Sequence, residues 1–362
     1  MKLLITGICG FVGSTLAKAI RAAHPDWTLV GIDNFSRAGS WFNKQPLLDL
    51  GVELIVVDIR SAADLETLPA CDWVIDAAAN PSVLAGVDGK TSSRQLIEHN
   101  LQGTINLLEY CKRHRAGFVL LSTSRVYSIP GLVDLEIEVV AGEGGARFAP
   151  RNDQQFPVGL SSEGLSEDYS TLPPVSLYGS TKVASEHLAL EYGATFDFPV
   201  WINRCGVMAG AGQFGHPAQG IFAFWIHSFR EGRPLKYIGF DGLGHQVRDC
   251  LHPADLLALL EKQFAEAPDS RQSRIVNIAG GLGQSMSLAE LTAWCQTRFP
   301  DSTTKVTSDP NPRAYDIPWM ILDPTKAGAI WDWKPRTSVH AVCEEIATFA
   351  GDHPDWIALS RT

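Results

Sequence analysis

The residues best suited to acid–base chemistry lie in the run Tyr178-Gly179-Ser180-Thr181-Lys182, where a phenol and an ammonium fall one turn apart on a single helical face. A phenol is a poor base at neutral pH, with an ordinary pKa of about 10. A neighbouring positive charge favours the phenolate and lowers that value. The spacing is common on exposed helices, so its meaning depends on what surrounds it. One partner is Thr123, in Leu121-Ser122-Thr123-Ser124-Arg125-Val126-Tyr127, at the end of a strand-like run. Its hydroxyl reads either as a hydrogen-bond partner for Tyr178 and a reacting oxygen, or as a cap on the strand end.

A second cluster opens the chain. Gly7-Ile8-Cys9-Gly10-Phe11-Val12-Gly13 follows a short apolar run and begins an amphipathic one. Glycines at that spacing permit a tight turn, let the backbone approach a pyrophosphate, and allow close helix–strand packing. The helix amino terminus adds unpaired N–H groups and a partial positive charge. A second apolar run ends in Asp33, about twenty residues on, where a carboxylate binds the hydroxyls of an adenosine ribose. It would repel a 2′-phosphate, so the pattern predicts NAD rather than NADP. Arg37 either softens that preference or is a solvated surface cation. Asp58-Ile59 closes a third run and is placed to meet the adenine. Ala77-Ala78-Ala79, after a fourth, lets the chain pass close to a cofactor.

The elements that must position these groups follow from periodicity. Apolar runs without alternation at 3–6, 28–33, 52–58, 73–78 and 118–122 predict strands buried on both faces. Amphipathic stretches at 11–23 and 94–114 predict helices between them. The pattern is that of a doubly wound α/β Rossmann fold with a parallel sheet. Residues 130–174 are rich in Gly, Pro and acid, with little periodicity; they read as a substrate-covering segment or a surface decoration. A helix resumes at Ser176 and a strand follows at 200–203. The mixture of short helices (253–265, 288–299) and Pro/Gly loops beyond predicts a smaller mixed α/β lobe. The expected division is a cofactor domain over 1–205 and a substrate lobe over 206–362, with parts of 240–280 returning to the first.

Composition excludes some classes. With 45% hydrophobic and 19% charged residues the chain suits a globular protein rather than a disordered one. A formal charge of −10 argues against a nucleic-acid partner, which needs a basic face. No apolar stretch is long enough to span a bilayer, and Met1 runs into a strand with no cleavable signal pattern. No membrane association and a cytoplasmic location are therefore expected. The seven cysteines and ten histidines lack metal-ligand spacing, so no metal site is expected.

Taken together, these motifs resemble the extended short-chain dehydrogenase/reductases of the NAD-dependent epimerase/dehydratase family, which act on nucleotide sugars. The resemblance rests on the glycine turn, Asp33-Asn34-Phe35-Ser36-Arg37, the Ser-Thr segment, Tyr-x-x-x-Lys and Val247-Arg248-Asp249. Asn100-Leu101-Gln102-Gly103-Thr104 and Trp331-Asp332-Trp333-Lys334-Pro335 look like further family motifs. Within the family, Ala209-Gly210-Ala211-Gly212-Gln213-Phe214, Gln219-Gly220 and Gln246 to His252 are most similar to the CDP-paratose 2-epimerase subgroup.

The resemblance implies internal redox: Tyr178, Lys182 and Thr123 act at the sugar, which is transiently oxidised to a keto sugar and reduced from its other face. It adds Asn100, Ser122 and Arg204 to the NAD side, and Ser82, Ser124 and Gln219 to the substrate side. Arg248 would meet the diphosphate, or else pair with Asp249 or another acid. A second family arginine is missing, since its place in Arg313-Ala314-Tyr315-Asp316-Ile317-Pro318 falls on Pro318; Arg313 is the available substitute. Ala209 stands where relatives often carry tyrosine. The family's 4,6-dehydratases follow the threonine with Asp-Glu, whereas Ser124 and Arg125 occupy those positions here, so elimination loses its proton carriers. The leading expectation is C2 epimerisation of a CDP-linked deoxysugar. The alternatives are a UDP-sugar 4-epimerase, a dehydrogenase or reductase with exchangeable NAD(H), and a non-catalytic NAD sensor. Relatives also imply a homodimer, paired through the helices at 94–114 and 176–194.

Overall fold

The computed structural model describes residues 1–87, 89, 92–216, 219–266 and 273–360. Among them, seven parallel strands form the central sheet: β1 (Lys2–Thr6), β2 (Thr28–Asp33), β3 (Glu53–Val56), β4 (Trp73–Asp76), β5 (Gly117–Thr123), β6 (Val200–Cys205) and β7 (Ile275–Ile278). Their order is β7-β6-β5-β4-β1-β2-β3. The winding reverses between β1 and β4, which places a crevice at the carboxyl ends of those strands.

Both faces of the sheet are covered, which is why its strands read as unbroken apolar runs. One layer gathers Leu3, Ile5, Leu16, Ile20, Trp201 and Leu259. The other gathers Leu4, Ile32, Leu107, Phe118 and Ile202. β3 and β4 stop short of the expected ends, so Asp58-Ile59 and Ala77-Ala78-Ala79 lie in the loops that follow. β7, the helix Leu257–Ala265 and the helix Thr325–Trp331 all belong to the sheet side, although they follow residue 206.

The helix expected over 94–114 is interrupted. Ser93–Ile97 is α-helical, Glu98–Gln102 forms a π turn, and Gly103–His114 is α-helical again. Asn100 sits in that turn and reaches across to residue 80. The Asn80 amide donates to its Oδ1 at 2.8 Å, and its Nδ2 donates to the Asn80 carbonyl at 3.2 Å. A π turn at a functional position is a common use of this geometry.

Residues 130–174 are not a covering segment. They form a short helix (Pro130–Val133), a hairpin (Ile137–Ala141 with Ala146–Pro150) and a two-residue pair (Leu160–Ser161 with Gly164–Leu165). Leu132, Phe148, Leu160 and Leu165 bury against Trp319 and Ile321 of the second lobe. None of the segment lines the central cleft. Strands this short leave too few turns of alternation to register as periodicity.

The rest of that lobe packs the helices Ile221–Arg230, Leu288–Arg298 and Val339–Asp352 around Phe222, Trp225, Leu291 and Ile346. All seven cysteines are buried and free. No described helix is long and apolar enough to cross a membrane.

Candidate active site

A cleft of about 1640 Å³ runs from the glycine turn, past the carboxyl ends of the strands, to the second lobe. That exceeds the range usual for a single small ligand, roughly 300–1,000 Å³, and leaves room for two.

At one end stands the glycine turn. Gly7 has φ +58°, and a Cβ there would lie 3.0 Å from the Ala78 Cα. The small residues Ala77 and Ala78 thus answer the glycine across the β1–β4 junction. The Thr6 hydroxyl ties the same junction, donating to Asp76 Oδ1 at 2.8 Å and accepting from the Ala77 and Ala78 amides at 3.1 and 3.0 Å. Gly10 begins the helix Phe11–Ala23 with no side-chain cap, so first-turn N–H groups face the cleft beside Phe11 and Val12. Gly13 does not line the cleft. Its Cβ would meet the Gly7 carbonyl oxygen at 2.4 Å, so it serves helix–strand packing.

Asp33 lines the cleft at the end of β2, held by the Cys9 amide on Oδ2 at 2.9 Å and the Phe35 amide on Oδ1 at 2.8 Å. Burial raises its pKa, and those amides oppose the rise. Asn34, Ser36, Arg37 and Ile59 join it on the wall, as does Ala79. The Arg37 guanidinium is partly buried and lies 5.9 Å from the Phe214 ring centre, so it is not a solvated surface cation. Asp58 stands behind this wall. It takes the Arg60 guanidinium at 2.6 Å and the Asn34 amide at 3.2 Å, and it positions Asn34 instead of facing the cleft.

The acid–base groups meet midway. Ser122, Thr123, Ser124, Tyr178 and Lys182 all line the cleft. Tyr178 and Lys182 lie in the helix Ser176–Phe196, whose first residue has φ +76°. A Cβ on Gly179 would fall 2.3 Å from the Arg125 carbonyl oxygen, so only glycine lets the helix sit this close to the turn after β5. Thr123 caps the strand end, its Oγ1 accepting from the Arg125 amide at 3.2 Å, and its hydroxyl lies close enough to the Tyr178 phenol to act on its pKa. Burial raises the Tyr178 pKa, while the Thr123 bond and the charge of Arg125 lower it. The cation acting on the phenol is therefore Arg125, a residue the sequence marked only as a replaced carboxylate. The Lys182 ammonium donates to the Leu121 carbonyl at 3.3 Å, and its charge acts on Asp76 and Cys205.

Besides Gly13 and Asp58, three more expected site residues do not reach the cleft. Arg204 points from β6 into the catalytic helix and pairs with Glu186, Nη2 to Oε2 at 2.7 Å. Glu186 also accepts from Ser122 at 2.5 Å. Asn100 braces residue 80 and donates to Thr181 Oγ1 at 3.2 Å. Ser82 accepts from the Leu84 amide at 3.3 Å, while Asn80, Pro81 and Val83 take its place on the wall. Glu186 was legible: it continues the i, i+4 face of Tyr178 and Lys182.

At the far end, Gln219, Arg248 and Arg313 line the cleft. Arg248 is tied not to Asp249 but to Asp316, Nη2 to Oδ1 at 3.2 Å. Asp249 faces inward and binds the Val207 and Leu322 amides at 3.0 Å each. Burial pushes its pKa up to about 6.

The model of the NAD dependent epimerase/dehydratase family matches residues 3–279. The chain belongs to that family. It is 30% identical over 346 residues to the CDP-paratose 2-epimerase of Salmonella typhi, covering 93% of this chain and 96% of the relative. It is 28% identical to a dTDP-glucose 4,6-dehydratase of Streptomyces antibioticus, covering 100% and 96%. Among solved structures, the UDP-glucuronic acid 4-epimerase of Bacillus cereus, in complex with UDP-glucuronic acid and NAD, superposes with a TM-score of 0.74 at 25% identity, covering 97% of this chain and 99% of that one. NAD is the cofactor of the family, and the glycine turn, the uncapped helix end and Asp33 fit it.

Proposed function

We propose that the protein is an NAD-dependent nucleotide-sugar epimerase that inverts C2 of a CDP-linked deoxysugar through a transient keto sugar. The observation that carries the reading is the meeting of Thr123, Tyr178 and Lys182 in a cleft where Ser124 and Arg125 replace the carboxylates that elimination would use. Whole-chain likeness alone does not separate epimerase from dehydratase, since relatives of both kinds match at similar identity.

NAD held at the glycine turn and Asp33 would supply a reversible acceptor for the hydrogen and electron pair of the sugar carbon, and its positive charge would favour the Tyr178 phenolate. Tyr178 removes the proton of the adjacent hydroxyl during oxidation and returns it during reduction. Thr123 holds both the phenol and the reacting oxygen in line. Lys182, fixed to the Leu121 carbonyl, keeps its ammonium beside the site. Arg248 holds the diphosphate, and the sugar turns beyond that anchor.

The C2 assignment is supported by the likeness to CDP-paratose 2-epimerase over nearly the whole chain. The likeness to a UDP-sugar 4-epimerase structure favours inversion at C4 as the second reading. Proton NMR of purified protein against CDP-, UDP-, GDP- and dTDP-sugars separates them by the carbon inverted. Loss of water from the sugar would overturn both. We further propose a homodimer through the helices at 94–114 and 176–194, where Ile97 and Leu177 are exposed, with Phe196 exposed just beyond the second. Sedimentation of the purified chain as a monomer would contradict it.

A further inference from the structure

Arg125 follows β5 and lines the cleft. Its Nη1 donates to the Tyr315 carbonyl at 3.2 Å. The next residue, Asp316, accepts from Arg248 at 3.2 Å. Two guanidiniums from distant parts of the chain are thus tethered to one dipeptide, and Asp316 can neutralise only one of them. Burial, then the charge of Arg248, pushes Arg125 down to about 10. Such crowding of like charge is what a divalent anion would relieve. Pro318 brings no donor to this wall, and Arg313 is exposed at its edge.

We propose that Arg125 is the second guanidinium of the substrate's diphosphate site, paired with Arg248. The inference rests on the nucleotide-sugar reading above. Arg125 also abuts the catalytic helix, since its carbonyl packs against Gly179, next to Tyr178. An anion held by Arg125 therefore fixes the turn that carries both Thr123 and the contact to the base. The same residue that displaces a dehydratase carboxylate takes over the anion-binding task that Pro318 cannot perform.

The test is calorimetric titration of the NAD-containing protein with CDP, UDP, GDP and dTDP, comparing wild type with Arg125→Gln and Arg125→Lys. Glutamine removes the charge and, being two bonds shorter, the reach to the Tyr315 carbonyl; lysine keeps the charge and loses the fork. For the diphosphate that wild type binds, Arg125→Gln should weaken affinity roughly ten- to hundredfold, the range of a charge-assisted bond. Arg125→Lys should recover part of that loss. Unchanged affinity in Arg125→Gln would overturn the inference alone, and so would an equal loss in Arg125→Lys, which would mean a structural tether in place of an anion contact. Wild type binding none of the four would overturn the nucleotide-sugar reading and the inference together.

Discussion

The two ends of the cleft are built by different means. At the cofactor end the backbone makes the site: Gly7 and Gly13 allow a turn that no side chain could replace, and Asp33 is held by amides from its own turn and the glycine loop. At the substrate end side chains from distant segments make it: Arg125 and Arg248 meet on Tyr315 and Asp316. A backbone site is tolerant of side-chain change nearby but intolerant of any added Cβ. A side-chain site has the opposite sensitivity. Tyr178 and Lys182 stand between the two and belong to both.

The largest effect is expected where the ends meet. Tyr178→Phe should lower turnover by about 10²–10⁴-fold while cofactor content, read from the absorbance of NAD released on denaturation, stays at the wild-type level. Turnover within tenfold of wild type would remove Tyr178 as the base. The next effect separates buried from exposed charge. Glu186→Gln leaves the Arg204 guanidinium without its counter-ion inside the fold and should cost about 3–5 kcal/mol in denaturant unfolding. The exposed Arg151–Asp153 pair is the control, because Asp153→Asn should leave the unfolding midpoint unchanged. Comparable losses at both sites would sink the distinction.

Asp249 gives a pH signature to the substrate end. Its folded pKa of about 6 lies above the ordinary carboxylate value, so the folded chain keeps a proton there that the unfolded chain releases. The resulting stabilisation is full below about pH 4 and is lost as pH rises through 6. Between pH 7 and pH 4, wild type should gain up to about 3 kcal/mol that Asp249→Asn does not, measured as unfolding free energy at each pH. Equal pH slopes in the two proteins would contradict this.

The smallest pair of changes probes the glycines. Gly13→Ala must push the Gly7 carbonyl aside, at about 1–3 kcal/mol and with loss of bound NAD. Gly283→Ala meets nothing within 4 Å and should stay within about 0.5 kcal/mol of wild type with its cofactor intact. A Gly13→Ala protein that kept both stability and NAD would show that the turn has slack.

The same contrast explains what the sequence disclosed. The glycine turn, Asp33 and the apolar strands are local patterns, each set within a few residues, and the structure places them much as the periodicity indicates. Tyr178 and Lys182 were legible because one helical turn joins them. Arg204 misled because nothing local says which face of β6 it takes; Glu186 decides that from the preceding helix. Asn100 was assigned to the cofactor, whereas the π turn around it aims the side chain at residue 80. The hairpins within 130–174 pair short strands with each other but pack them on Trp319 and Ile321 of the second lobe, so no window of sequence contains the reason for their packing. Arg125 and Asp316 were visible as letters, but their meeting depends on a contact between segments far apart in the chain.

Internal redox at one sugar carbon leaves an isotopic record that proton NMR in D₂O, with no coenzyme added, reads. The substrate should convert to its epimer and the inverted carbon should keep its original hydrogen, since the same hydrogen leaves and returns within the cleft. Deuterium at that carbon would mean inversion by proton exchange with solvent. Conversion only on addition of NAD would mean a cofactor that leaves between turnovers. Either result would contradict the account.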